Sequence, residues 1–404
     1  MKYIVILADG MAGLPIEELG GKSTIEAANS PALDRLATMG RSGLLYTVPD
    51  AYQPGSEVAN LAVLGYDLDV VFEGRGSLEA ASMGIEIEDG EMAMRCNLIT
   101  LHDDGRIKNH SAGHISTEEA RTLIEDLAAE IGDEQIRFFA GISYRHLLKL
   151  RGGNKALLCT PPHDVPGTHF SEVMIAATAP EGESTAKLLN DIILRSQTFL
   201  KQHPINLKRI AEGLDPANSV WFWSPGYKPQ MQTLQQKYGV GSGSVISAVD
   251  LIRGIGVYAG LKVIEVEGAT GLYDTNYEGK VAAALEALRH DDFVYLHVEA
   301  SDEAGHEGDA QLKIRTVEYM SQRVVAPIMA QIATWDEPVA VALLPDHPTP
   351  CALRTHTREA VPFVIYKPTA QGDSVTTYGE RAAANGYYGT LHGEEFIKAL
   401  LTEK

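Results

Sequence analysis

The chain has 404 residues and a mass of 43.7 kDa, about two to three times an ordinary domain, so two domains with sizeable cores are expected. Thirty-four Lys+Arg against 54 Asp+Glu leave a formal charge of −20, which excludes a broad nucleic-acid surface and disfavours an anionic membrane, because both require clustered cations. With 45% hydrophobic and 22% charged residues the composition is globular rather than disordered.

Residues 3–8 form an apolar run that ends at Asp9-Gly10; it reads as a buried strand delivering a carboxylate to a turn, and is too short for the core of a signal segment. Next, Pro54-Gly55-Ser56 precedes an apolar helical pattern, which puts the Ser56 hydroxyl at a helix N-terminus. Taken alone it reads as a helix cap. Functionally, the free N–H groups there stabilise a transferred phosphoryl group.

From 84 to 215 the pattern changes. Strand-like pieces (93–101, 136–150) and helical pieces (117–131, 184–203) carry polar clusters: Lys108 to His114, Tyr144-Arg145-His146, and Pro161 to Gly167. This stretch is expected to be a second, α+β domain, inserted between the two parts, 1–83 and 216–404, of the first. Trp221-Phe222-Trp223 reads as buried strand.

Beyond it the strand-then-acid pattern returns. Residues 293–298 run into Glu299 to Asp302, and 339–344 into Pro345-Asp346-His347; a further run, 361–366, follows His356. Helical patterns at 280–289 and 311–333 lie between, so a layered α/β sheet is predicted, with the ligand beyond the carboxyl ends of its strands. Asp302 and His306, four apart, share one face of a helical turn and can grip one divalent ion. Each element also has a plain reading, an N-cap Asp with a surface His or a turn Asp beside an exposed His. Together, Asp9, Asp302, His306, Asp346, His347 and His356 make six donors suited to Mn²⁺, Zn²⁺ or Mg²⁺. Cys96, Cys159 and Cys351 lie far apart with no C-x-x-C pair, which disfavours a disulfide framework and fits a cytoplasmic protein; no apolar run approaches the roughly 20 residues of a membrane span. His392 reads as a helix-start residue.

Asp9-Gly10, the Pro-Gly-Ser56-Glu-Val-Ala-Asn element, Asp302-x-x-x-His306-x-Gly308-Asp309, Asp346-His347 and His356-Thr357-x-x-x-Val-Pro-Phe363 together resemble the alkaline phosphatase superfamily, and within it the archaeal-type 2,3-bisphosphoglycerate-independent phosphoglycerate mutases. Gly74 to Ala80, Arg95-Cys96-Asn97-Leu98 and Gly268 to Asn276 read as further segments of that family, so the resemblance spans nearly the whole chain. It implies an alkaline-phosphatase-like α/β/α catalytic domain with an inserted lid, interconverting 3- and 2-phosphoglycerate through a phosphoserine. It implies two divalent ions, Mn²⁺ first and Zn²⁺, Mg²⁺ or Co²⁺ as alternatives, with no 2,3-bisphosphoglycerate. Asp9, Ser56, Asp346 and His347 would surround one ion, and Asp302, His306 and His356 the other. Arg75, His110, His114, Arg145, His146 and Arg151 are the candidates for holding the small phosphorylated hydroxy acid, with His163 and Asp164 for moving its proton. Where the family is expected to carry Ala-Gly-Arg, this chain has Ala112-Gly113-His114, which exchanges a bidentate phosphate grip for a titratable ring. That departure keeps open a homoserine-kinase-like phosphotransferase or a metal-dependent phosphomonoesterase on the same scaffold. A lid closing near 82–84 and 217–221 would keep water from the phosphoserine.

Overall fold

A computed structural model describes residues 1–402. The strands in chain order are β1 (Lys2–Ala8), β2 (Arg41–Tyr46), β3 (Glu91–Leu101), β4 (Ile107–Asn109), β5 (Ile136–Ile142), β6 (Arg145–Arg151), β7 (Leu157–Leu158) and β8 (Ala176–Ala177). They continue with β9 (Ser219–Gly226), β10 (Gly243–Ile246), β11 (Lys262–Val263), β12 (Phe293–Val298), β13 (Val339–Leu344), β14 (Val361–Tyr366) and β15 (Thr390–His392). Contacts divide the chain into two compact units, Met1–Phe72 with Gln230–Lys404, and Glu73–Pro229.

The first unit is built on an eight-stranded sheet ordered β11-β10-β12-β1-β13-β14-β2-β15. β10, β12, β1 and β13 run parallel, so their carboxyl ends share one edge. The β-branched run of β1 sits between β12 and β13, and Ile4 to Ala8 are fully buried, as expected of a strand covered on both faces. Leu7 lies opposite both His297 and Leu344, which brings the three chains out of the sheet at one level. β14 is antiparallel to β13, so its amino end lies at that edge and the segment before it, with His356, can reach the same place.

Asp9 leads into a turn that requires Gly10. Its φ is +58°, and a Cβ there would meet Asp302 Oδ1 at 2.3 Å. The helical pattern at 311–333 is interrupted: Ala310–Tyr319 passes through a π-helical turn, Met320–Val325, before Ala326–Ile332. Pro327 explains the break, since it cannot donate to the preceding turn.

The second unit has a sheet ordered β4-β3-β6-β5, with β9 added on the other edge of β3. The predicted strand 136–150 is a hairpin, β5 and β6, paired with each other. The helices Thr117–Ile131 and Glu183–Lys201 bury Leu123, Ile124, Leu127, Leu189, Ile192 and Ile193 in one core with Met94, Cys96, Leu98, Leu148 and Phe222.

The expected boundaries at 84 and 215 fall inside this unit. Cys96 of β3 lies opposite Phe222 of β9, so the aromatic strand closes the second sheet and not the first. The helix Arg75–Ser82 packs on the same sheet, where a Cβ on Gly76 would sit 2.6 Å from Ala93 O and 2.7 Å from Ser224 O. The segments 82–84 and 217–221, taken as hinges in the sequence, are therefore internal to one compact body; the chain crosses between units at 72–73 and 229–230. Among the described residues, no helix is long and apolar enough to cross a membrane.

Candidate active site

The carboxyl edge of the first sheet gathers all seven residues singled out there. Asp9 follows β1, Asp346 and His347 follow β13, and Asp302 and His306 lie in the helix Ala300–Glu307 after β12. His347 Nε2 is 3.6 Å from Asp9 Oδ1 and 3.5 Å from Asp346 Oδ2, all three residues being buried. Asp302 holds the other side: Oδ2 is 3.2 Å from His306 Nε2 and Oδ1 is 3.4 Å from His356 Nε2. The two imidazole Nε2 atoms stand 2.9 Å apart.

Ser56 is the first residue of the helix Ser56–Val63, one position past the cap residue Gly55, so it does not occupy the cap position. The cap reading is thus replaced by another: Ser56 Oγ lies 3.2 Å from His347 Nε2. Asn60, one turn along, fixes that helix to the site, donating to Ser56 O and to Asp346 Oδ2, both at 2.8 Å, while Tyr295 donates its hydroxyl to Asn60 Oδ1 at 2.6 Å. Gly10 N and His347 N both donate to Asp346 Oδ1.

The electrostatics are those of crowded acids. Burial first, then Asp346, Asp302 and Glu299, hold Asp9 well above the usual carboxylate range. Burial also pushes Glu299 up to about 8, with Asp302 adding to it. For Asp302 burial acts upward, but hydrogen bonds from His306 and His356 win and hold it well below its ordinary value. The Asp302 hydrogen bond in turn raises His306 to about 9.

This donor set fits divalent cations. Asp302, His347 and His356 offer atoms within 4.8 Å of one another, as do Asp9, Asp346 and His347, and the buried Asp9 Oδ1 has no hydrogen-bond partner. Three buried carboxylates facing imidazole nitrogens, with an orphaned oxygen among them, need a shared positive charge.

In the second unit, cations converge on the face of β3 that carries Arg95 and Asn97. The Arg95 guanidinium lies 4.2 Å over the Trp223 ring, and its Nε pairs with Glu79 Oε1 at 3.1 Å. His163 packs edge-on against Trp223 at 5.3 Å and against His110 at 5.8 Å, and His110 against Tyr144 at 5.6 Å. Arg145 is opposite Asn97 in the β3–β6 register, and Arg75 Nε is buried without a partner. Burial lowers Arg95, with Arg75 and Arg145 adding to the shift. It also lowers His163, which Asp164 opposes and His110, Arg95 and Arg75 reinforce. Arg95 is buried, Arg75 is half-buried and Arg145 and His163 are exposed, an arrangement of like charges that can accept an anion.

The chain is 48% identical over 406 residues to the 2,3-bisphosphoglycerate-independent phosphoglycerate mutase of Methanosarcina barkeri, covering all of both chains. It belongs to the 2,3-bisphosphoglycerate-independent phosphoglycerate mutase family. The family's sequence model matches residues 37–206. A Geobacter sulfurreducens protein named as a probable mutase of this kind is 48% identical over 387 residues, 95% of each chain. Among solved structures, a Pyrococcus horikoshii protein superposes with a TM-score of 0.83 at 28% identity, over 100% of this chain and 98% of that one. A cofactor-independent phosphoglycerate mutase from Thermoplasma acidophilum shares the fold, with a TM-score of 0.68 at 23% identity over 99% of each.

Two of the residues expected to hold substrate are not in the cationic cluster of this mutase-family chain. His146 follows Arg145 in β6 and so points to the opposite face; it is buried opposite Cys96, with Nδ1 accepting the Gly141 N–H at 3.0 Å. Arg151 ends β6 six residues from Arg145, roughly 20 Å along the strand, and is exposed beside Glu91. His114 is exposed, at the end of a left-handed turn in which Ala112, Gly113 and His114 all have positive φ; burial lowers the His110 pKa, and His114 adds to that shift. His163 and Asp164 adjoin at 3.6 Å. His392 ends β15, stacked on Tyr46 at 5.0 Å. Sequence reading placed Arg95 and Asn60 in family segments and read Trp223 as buried strand, but gave none of these, nor His297, a role at a site. An Arg inside an apolar strand, an Asn inside an apolar helix and a His inside 293–298 were the available signals.

Burial pushes His146 down to about 3. The unfolded chain takes up this proton near pH 6.5 and the folded one does not, so the residue costs stability as pH falls from about 6.5 toward 3, by several kcal/mol at most. His146→Gln is expected to flatten the acid limb of the stability–pH profile over that window in urea titrations. A limb unchanged in slope would contradict the assignment.

Proposed function

We propose that the protein interconverts 3-phosphoglycerate and 2-phosphoglycerate by two phosphoryl transfers through Ser56, without 2,3-bisphosphoglycerate. The observation that carries this is the Ser56 hydroxyl 3.2 Å from His347, at the edge of the buried carboxylate–imidazole cluster. The names of the relatives support the substrate.

Asp9, Asp346, His347 and Ser56 would hold one divalent ion and Asp302, His306 and His356 a second, which together supply positive charge that neutralises phosphoryl oxygens and lowers the pKa of a hydroxyl. Ser56 Oγ, having lost its proton, bonds to phosphorus as the bond to the C3 oxygen breaks, and that oxygen takes a proton. The C2 hydroxyl then gives up its proton and bonds to phosphorus as the Ser56 Oγ–phosphorus bond breaks, which returns Ser56 to its starting state. His163, held below its ordinary pKa by burial and beside Asp164, carries the proton between the two oxygens. Arg95, Arg75 and Arg145 hold the substrate's anionic groups, and Trp223 keeps the Arg95 fork in plane.

Purified protein supplied with Mn²⁺ and 3-phosphoglycerate, followed by phosphorus NMR, should form 2-phosphoglycerate with no rise in inorganic phosphate. Accumulating phosphate would make it a phosphomonoesterase, and transfer from a phosphoryl donor to homoserine in place of isomerisation would make it a kinase. Arg95→Lys keeps the charge but loses the planar fork, worth about 1.5–3 kcal/mol for a charged hydrogen bond, so KM should rise roughly 10- to 150-fold with kcat changed less. Steady-state kinetics within about twofold of wild type would remove Arg95 from the site.

A further inference from the structure

His297, near the end of β12, is fully buried and both of its ring nitrogens are engaged. Nε2 lies 2.8 Å from Asp9 Oδ2, and Nδ1 lies 3.0 Å from Ser247 Oγ. Ser247 Oγ accepts the Val249 N–H at 2.9 Å, which fixes the hydroxyl just past the end of β10. The His297 main-chain carbonyl accepts Lys280 Nζ at 3.2 Å, so backbone and ring are both tied.

Asp9 therefore has two unlike oxygens. Oδ2 is pinned by the imidazole; Oδ1 is buried, has no hydrogen-bond partner and lies 3.6 Å from His347 Nε2. With a cation bound Asp9 is ionised and only accepts, so His297 Nε2–H donates to Oδ2, which leaves Nδ1 to accept the Ser247 hydroxyl. The chain Ser247–His297–Asp9 thus sets one tautomer and one carboxylate rotamer, and leaves Oδ1 aimed at the donor cluster.

We propose that Ser247 and His297 are positioning residues that orient Asp9 as a cation ligand, selectively for the ion held by Asp9, Asp346 and His347. This rests on the cation-binding reading of the site. Groups in this position tune metal affinity by about 10- to 100-fold.

The test is Mn²⁺ titration of the metal-stripped full chain, with free Mn²⁺ read by electron paramagnetic resonance, for wild type, His297→Leu, His297→Gln and Ser247→Ala. Wild type is expected to bind at two sites. His297→Leu should weaken one site roughly 10- to 100-fold and leave the other unchanged; His297→Gln, which keeps an N–H donor, should recover most of that loss. Ser247→Ala, a small change that leaves the ring in place, should weaken the same site by less and covers the case in which the Leu variant does not fold. Leu or Ala variants that titrate like wild type would overturn the proposal while leaving the cation reading intact. Equal weakening of both sites, without rescue by Gln, would also overturn it. Wild-type protein that takes up no Mn²⁺ would overturn the cation reading and this proposal with it.

Discussion

Ser56→Ala is expected to lower the mutase kcat by roughly a thousandfold or more, with 3-phosphoglycerate still bound, because the variant loses the atom that receives phosphorus, along with one of the four donors to a cation. The competing hydroxyl is Thr349, whose Oγ1 is 3.3 Å from His347 Nδ1. It is fully buried, however, and donates to Asp302 Oδ1 at 2.5 Å, so its proton is committed and it has no open side from which to attack. Thr349→Ser, which keeps that bond, should therefore remain active. Ser56→Ala that turns over at near wild-type rate in a coupled 2-phosphoglycerate assay would end the account of transfer through this serine.

Stripping divalent ions should abolish turnover and also destabilise the unit Met1–Phe72 with Gln230–Lys404. Asp9, Asp302 and Asp346 are buried within reach of one another, and Asp9 is raised by the other two. Binding to the folded state alone adds about 4 kcal/mol at an ion concentration a thousand times Kd. Tm should fall on chelation and recover on adding Mn²⁺. The sign with pH follows from the donors: carboxylates and imidazoles bind a cation only after losing their protons, so Mn²⁺ affinity should fall as the solution is acidified. Calorimetry showing the same Tm with and without chelator, at full activity, would contradict the assignment.

The sheet edge was legible because a parallel strand has to end in something, and residues after it cluster at one edge. That grammar gave Asp9, Asp302 and Asp346 their places, and β12, β13 and β14 match the predicted runs residue for residue. Ser56 was legible as a helix start, though not as a residue freed from capping, since that depends on Gly55 taking the cap position.

What was hidden depended on partners distant in sequence. His297 and Asn60 lie inside apolar runs, and nothing local says that their neighbours are Asp9 and Asp346. Arg95 reads as a lone charge in a strand until Trp223, 128 residues on, lies under it. Tyr144-Arg145-His146 looked like one cluster, but successive strand residues face opposite ways, so Arg145 lies on the cationic face and His146 in the core. The boundary slipped for a related reason. The helix Arg75–Ser82 and β9 carry no local mark of which sheet they serve; the packing of Gly76 on Ala93 and Ser224 and the pairing of Phe222 with Cys96 decide it.

The most direct measurement is rapid acid quench of the Mn²⁺-loaded protein during turnover of 3-phosphoglycerate, followed by peptide mass spectrometry. A phosphoryl group on the peptide containing Ser56, absent from Ser56→Ala and chased into 2-phosphoglycerate, is the predicted result. Full turnover with phosphate on no peptide, or on a residue other than Ser56, would contradict transfer through this serine.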